Sequence, residues 1–232
     1  MTNKYTTLLF DADNTLLDFS KSERSSLIKT MEDYGVPVNE HNICTYVEIN
    51  NSLWKQLEKK EITKPELKKI RFRLFFDKIG FKFNGDPFEV NEHYLSLLSQ
   101  CGYIMDGAAE LTEKLFHAKY DLYIVTNGVA KTQAQRLAKS GLLPYFKDVF
   151  VSEAIGIPKP HKEFFDYVHE KIPEKDKSKI VVIGDSLSSD ILGAENAGLD
   201  SIWLNLNDSA LPCSLNPTAT VTNLKELERL FF

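Results

Sequence analysis

Two carboxylates one residue apart, Asp11 and Asp13, follow directly on an apolar run at residues 6–10. On an extended chain, residues i and i+2 point to the same side. Two carboxylates on one side repel unless a cation or a shared proton holds them. The pair reads as a candidate Mg2+ site with a nucleophile in it, because Mg2+ is a hard ion that prefers oxygen ligands and a carboxylate can form an acyl-phosphate. Three more polar groups follow in order: Thr126-Asn127-Gly128, Pro158-Lys159-Pro160, and Gly184-Asp185 with Asp190. A threonine hydroxyl and backbone N–H groups near a helix start suit phosphate oxygens. Lys159 offers a positive point charge on a loop restrained by its flanking prolines. Taken singly, each group also fits a plain turn, a rigid surface loop or the first turn of a helix. Their joint order at strand ends favours one site.

Those side chains need a scaffold that brings distant segments together. Residues 6–10 are β-branched, aromatic and aliphatic, as in a buried strand of a parallel sheet. Further strands are expected at 122–125, 149–151, 180–183, 202–204 and 218–221. Helices are expected between them, at 132–139, 161–170, 189–197 with Gly198 at the C-cap, and 224–230. Asp106 is expected to cap a helix through Leu111 and Leu115. Alternation of strand and helix predicts an α/β fold with a doubly wound parallel sheet, whose chemistry lies beyond the carboxyl ends of the strands.

The stretch after the first strand differs. Ser20-Lys21-Ser22-Glu23 has the pattern of a capping box opening a helix to about Tyr34. Residues 39–101 carry helical periodicity without a strand signal, with Thr63-Lys64-Pro65-Glu66 as a second cap and Pro87 opening a last helix. This predicts a core of residues 1–17 and 103–232 and a helical insert of residues 18–102. In the insert, Tyr46 and Trp54 fall at core spacing, and Lys68, Lys69, Arg71 and Arg73 read as a solvated helix face.

The 232 residues are 43% hydrophobic and 26% charged, an ordinary globular balance long enough to bury a large core. A net charge of −5 argues against a nucleic-acid polymer as partner. No apolar stretch is long enough for a membrane span, and residues 1–5 lead into the first strand without a signal-peptide pattern. Three widely spaced cysteines, Cys44, Cys101 and Cys213, read as reduced, buried or half-buried thiols of a cytoplasmic protein.

Asp11-x-Asp13-x-Thr15, Thr126, Lys159 and Gly184-Asp185-x-x-x-x-Asp190 together resemble the four motifs of the haloacid dehalogenase-like (HAD) superfamily of phosphohydrolases. The resemblance implies a Rossmann-like core with a type-1 helical cap. It also implies an Mg2+-dependent phosphatase acting on a small phosphorylated metabolite. In that scheme Asp11 is the nucleophile and Asp13 the acid/base. Mg2+ is held by Asp11, the backbone carbonyl of Asp13, and Asp185. Thr126, Asn127, Gly128 and Lys159 bind the phosphate, and Asp190 orients the site. An acid/base at position 13 favours phosphoryl chemistry over the alternatives in the superfamily, C–halogen hydrolysis and phosphonate cleavage. Phe10-Asp11-Ala12-Asp13-Asn14-Thr15-Leu16 and Thr126-Asn127-Gly128 are similar to the pyrimidine-nucleotidase branch, which implies a nucleoside 5′-monophosphate as substrate; sugar phosphates are the other class of ester in view.

Overall fold

A computed structural model of the chain describes residues 4–232. The expectation that no leader precedes the first strand falls in part on residues 1–3, outside the described residues. Among the described residues, six strands form one parallel sheet: β1 Thr7–Phe10, β2 Asp121–Thr126, β3 Asp148–Val151, β4 Ile180–Gly184, β5 Asp200–Leu204 and β6 Ala219–Val221. Their spatial order is β3-β2-β1-β4-β5-β6. The chain thus winds outward from β1 in one direction and from β4 in the other. The switch point between those two strands is where an open α/β sheet leaves a crevice.

The register fixes which residues share that crevice. Phe10 pairs with Ile124 of β2 and with Ile183 of β4. Asp11 is therefore the first residue past the central strand, and its N–H donates to the Ile183 carbonyl at 2.8 Å. Alternation along the strands feeds two cores. Leu8 and Phe10 of β1 join Val181 and Ile183 on one face, while Leu9 joins Ile180 and Val182 on the other. The central strands β1, β2 and β4 are buried and apolar on both sides, as expected where helices cover both faces of a parallel sheet.

Helices α1 Phe19–Asp33, α2 Glu40–Glu58, α3 Lys64–Ile79 and α4 Pro87–Ser99 are followed by α5 Ala108–His117, α6 Ala130–Ser140, α7 Ser152–Ile155, α8 Lys162–Lys171, α9 Leu192–Ala197 and α10 Leu224–Arg229. The chain divides into two compact units. One runs to Asp18 and resumes as Gly102–Phe232; the other is Phe19–Cys101 and consists of α1 to α4. Within the second unit, Tyr46, Phe72, Phe75 and Tyr94 pack ring against ring at 5.2–6.3 Å. No helix of the described residues is long and apolar enough to cross a membrane.

Several local expectations are corrected. The Thr63 capping box forms, with Glu66 returning to the Thr63 N–H. The Ser20 one does not, because α1 already begins at Phe19, which leaves Ser20 inside the first turn. Glu23 is buried and accepts from Asn50 Nδ2 at 2.7 Å. Asp106 does not cap α5; Gly107 occupies the N-cap in the left-handed region, and Asp106 lies 3.6 Å from Lys225 Nζ. The helix expected at 189–197 is two pieces, a wider π-helical turn at Leu187–Ile191 and then α9. The short α7 carries too few residues for periodicity to reveal it. Cys44 and Cys213 are exposed and Cys101 half-buried; all three are free. Cys44 sits on the outward side of α2, whose inward side is taken by Ile43 and Tyr46. Arg71 is not on a solvated face: it is 3% exposed and donates to Asn50 and Asn91.

Candidate active site

Residues 12–17 fold back on themselves directly after β1. The Leu16 and Leu17 N–H groups donate to the Ala12 carbonyl at 3.0 and 2.8 Å, and the Asn14 N–H donates to the Leu17 carbonyl at 2.7 Å. The turn needs a left-handed residue, and Asn14 supplies it at φ +56°. Asparagine tolerates that region better than other residues with a Cβ. Asp11 and Asp13 are thereby pinned at the end of the central strand.

Lys159 closes the site from the far side of the sequence. Its ammonium is 1% exposed and uses its three donors on Asp11 Oδ1 at 2.7 Å, Asp190 Oδ1 at 2.5 Å and the Val125 carbonyl at 2.9 Å. Asn127 holds the lysine's backbone in a two-bond clamp. Its Nδ2 donates to the Lys159 carbonyl at 3.0 Å, and its Oδ1 accepts from the Lys159 N–H at 2.9 Å. The Asn127 side chain thus positions the lysine loop, while the phosphate contact expected of this residue is through its backbone N–H. The Gly128 N–H, also expected to face phosphate, donates to Thr126 Oγ1 at 3.0 Å.

Asp190 is fully buried, with its second oxygen accepting from the Ser186 N–H at 3.1 Å. It can lie so close to the strand end only because residue 184 is glycine: a Cβ there would stand 2.2 Å from Asp190 Oδ2. Asp185 is steadied through its carbonyl, which accepts from the Trp203 indole N–H at 2.9 Å. Carboxylate oxygens of Asp11, Asp185 and Asp190 all lie within 4.8 Å of one another.

Three carboxylates thus face a single lysine. Burial pushes the Asp11 carboxyl well above the ordinary range; Lys159 opposes this, and repulsion from Asp190, Asp185 and Asp13 adds to it. Burial, and then Asp190, push Asp185 up to about 7. Burial alone would lower Lys159, but Asp11 and Asp190 more than reverse it and hold the ammonium charged. The cluster has more negative charge than its own cation neutralises, and its donors are hard oxygens. Both features fit a divalent cation such as Mg2+.

Two residues that sequence reasoning missed complete the site. Gln133 and Arg136, on α6, are each 1% exposed. Gln133 Nε2 donates to Asp13 Oδ2 at 2.6 Å and to Thr126 Oγ1 at 2.9 Å; Arg136 pairs with Asp13 Oδ1 and donates to Gln133 Oε1 at 3.0 Å. The available signal was two polar residues spaced i, i+3 on the helix after Thr126, which places them on one face.

The central strand ending in a nucleophile-type aspartate, a lysine from a distant loop and a glycine–aspartate turn on the next strand define a hydrolase class. The chain belongs to the haloacid dehalogenase-like hydrolase family, which it matches over residues 5–198. It is 40% identical over 224 residues to the HAD-hydrolase YfnB of Bacillus subtilis (strain 168), covering 97% of this chain and 94% of that protein. A crystal structure of YfnB bound to magnesium superposes with a TM-score of 0.92, covering 98% of this chain and 99% of that one. The pyrimidine 5′-nucleotidase PynA of Streptococcus pneumoniae (strain ATCC BAA-255 / R6) is 39% identical, covering 96% of this chain and 93% of that protein. The pyrimidine 5′-nucleotidase YjjG of Escherichia coli (strain K12) is 33% identical, covering 98% of each.

Proposed function

We propose that the protein is an Mg2+-dependent phosphatase that hydrolyses nucleoside 5′-monophosphates through an aspartyl-phosphate on Asp11. The observation that carries this reading is the buried excess of carboxylate at the mouth of β1, within reach of one fully engaged lysine. Similarity over nearly the full length to two pyrimidine 5′-nucleotidases supports the substrate class. In the same reading, Phe19–Cys101 is the cap domain and the other unit carries the chemistry.

Asp11 and Asp185 would hold Mg2+, together with the Asp13 carbonyl, and Asp190 would hold Lys159. When bound, the ion neutralises charge on the phosphoryl group and on the carboxylates around it. Lys159 holds Oδ1 of Asp11, which orients Oδ2 for attack on phosphorus. As the Asp11–phosphorus bond forms, the ester P–O bond breaks and the leaving alkoxide takes a proton from Asp13. Asp13 then accepts a proton from water as that water attacks phosphorus. Inorganic phosphate leaves and the Asp11 carboxylate is regenerated. The Thr126 hydroxyl donates to a phosphoryl oxygen. Lys159 provides the fixed positive charge beside it.

The test is hydrolysis of an aryl phosphate with and without chelator, followed by a panel of nucleoside monophosphates and sugar phosphates. Loss of activity on chelation and a preference for pyrimidine monophosphates are expected. Equal rates with and without chelator remove the metal-dependent reading, and a preference for sugar phosphates removes the nucleotide one.

A further inference from the structure

Among the polar groups around Asp13, the pair on α6 does something that none of the four motifs describes. Asp13 is half-exposed, yet both of its carboxylate oxygens are held by side chains that are themselves buried: Oδ2 by Gln133 Nε2 and Oδ1 by Arg136. Gln133 cannot be turned end for end. Its Oε1 accepts from Arg136, and its Nε2 must therefore face Asp13 and Thr126. Its path depends on Gly128, since a Cβ there would stand 2.5 Å from the Gln133 side chain. The same amide settles the polarity of Thr126. A hydroxyl has two acceptor lone pairs and one O–H. Thr126 Oγ1 accepts from Gln133 Nε2 at 2.9 Å and from the Gly128 N–H at 3.0 Å, so its proton must point elsewhere, as a donor.

We infer that Gln133 and Arg136 are positioning residues for the reaction, aiming the Asp13 carboxylate and fixing Thr126 as a hydrogen-bond donor. The inference rests on the phosphatase reading above for what Asp13 and Thr126 do, and on geometry for how they are held. Their contacts are with Asp13 and Thr126 and not with the group that gains or loses the ester bond. They act by removing rotamer freedom from those two groups, which is where supporting side chains have most effect.

The prediction concerns the leaving group. An aryl oxide departs without protonation, whereas an alkoxide needs the proton that Asp13 supplies. p-Nitrophenyl phosphate and p-nitrobenzyl phosphate differ by one methylene and separate the two cases. kcat/KM counts only the steps up to aspartyl-phosphate formation, so the later water attack does not mix in. Arg136→Met is expected to lower kcat/KM for the benzyl ester at least about tenfold more than for the phenyl ester, with Arg136→Lys recovering part of the gap. Gln133→Met is expected to show the same gap and to weaken inhibition by inorganic phosphate, because the Thr126 hydroxyl is then free to rotate. Asp13→Asn sets the largest gap available. Equal losses on both esters, or a lysine variant no better than the methionine one, overturn the inference. If Arg136→Met fails to fold by circular dichroism, Gln133→Met carries the same comparison.

A wild-type enzyme inactive on both esters would count against the phosphatase reading itself. In that event the crystal structure of Gln133→Met decides the inference by geometry. A displaced Asp13 carboxylate supports it, and one that has not moved overturns it.

Discussion

Two clusters of charge lie inside this molecule, one in each unit, and they are built on opposite plans. In the helical unit, Glu23, Asn50, Arg71 and Asn91 come from α1, α2, α3 and α4. Asn50 donates to Glu23 at 2.7 Å and accepts from Arg71 at 3.1 Å, while Arg71 also donates to Asn91 and stacks 4.9 Å from the Tyr94 ring. One cation and one anion are bridged by amides, and the charge closes on itself. At the end of β1, Asp11, Asp185 and Asp190 gather around Lys159, with Asp13 and Arg136 paired beside them. The first arrangement joins four helices; the second leaves negative charge over. Burial of charge is therefore not what marks a site. An imbalance, held in place by a well-packed sheet, is.

The comparison can be broken most directly at Asp11. Asp11→Asn is nearly isosteric and removes both the proposed nucleophile and one of the crowded charges. Activity should fall at least about a thousandfold, while the melting temperature stays the same or rises. A melting temperature that drops by many degrees would mean that the cluster is structural, like its counterpart in the helices.

Deleting either cation should be nearly as severe, for different reasons. Arg71→Met removes the guanidinium that Asn50 and Asn91 share, and Lys159→Met removes the ammonium that Asp11 and Asp190 share; each should lose about 3–5 kcal/mol in urea unfolding. The two differ in their remedy. Added Asp190→Asn should recover much of the Lys159→Met loss, and no second change near Asp11 should help Arg71→Met.

Divalent cation comes next in size. At a concentration about a hundredfold above its dissociation constant, Mg2+ should stabilise the wild type by about 2.7 kcal/mol in thermal unfolding. Asp185→Asn should lose most of that increment, and Glu23→Gln should keep all of it.

Smaller still, and sharper, are the neutralising changes in the absence of metal. Asp185→Asn should raise stability by about 1 kcal/mol, since it relieves repulsion from Asp190. Glu23→Gln should lower it by about 1–3 kcal/mol, since it keeps an acceptor for Asn50 but removes a negative charge that offsets the buried Arg71. The same sign for both substitutions would erase the distinction between the two clusters. The smallest effect is expected at Asn14, where glycine relaxes the left-handed turn and changes stability by less than about 1 kcal/mol.

Much of this was legible in the residues. Strand ends were readable because apolar runs stop abruptly at Asp11, Thr126 and Gly184, and parallel strands are apolar on both faces. The Thr63 cap was readable because a capping box is a local contact over three residues. The Ser20 pattern marks the right helix but not its first residue: α1 begins at Phe19, and Glu23 is buried against Asn50, 27 residues away. Arg71 was misread because its polar partners lie on α2 and α4, and nothing on α3 announces them.

The sequence by itself determined the order of elements and the chemical types delivered to the strand ends, because both follow from interactions spanning a few residues. Only the tertiary structure decided which groups meet there. Crossover connections carry Lys159 to Asp11 across 148 positions and Arg136 to Asp13 across 123. Periodicity tells a side chain which face of its own element it occupies; the neighbour on that face is set by how the sheet is wound.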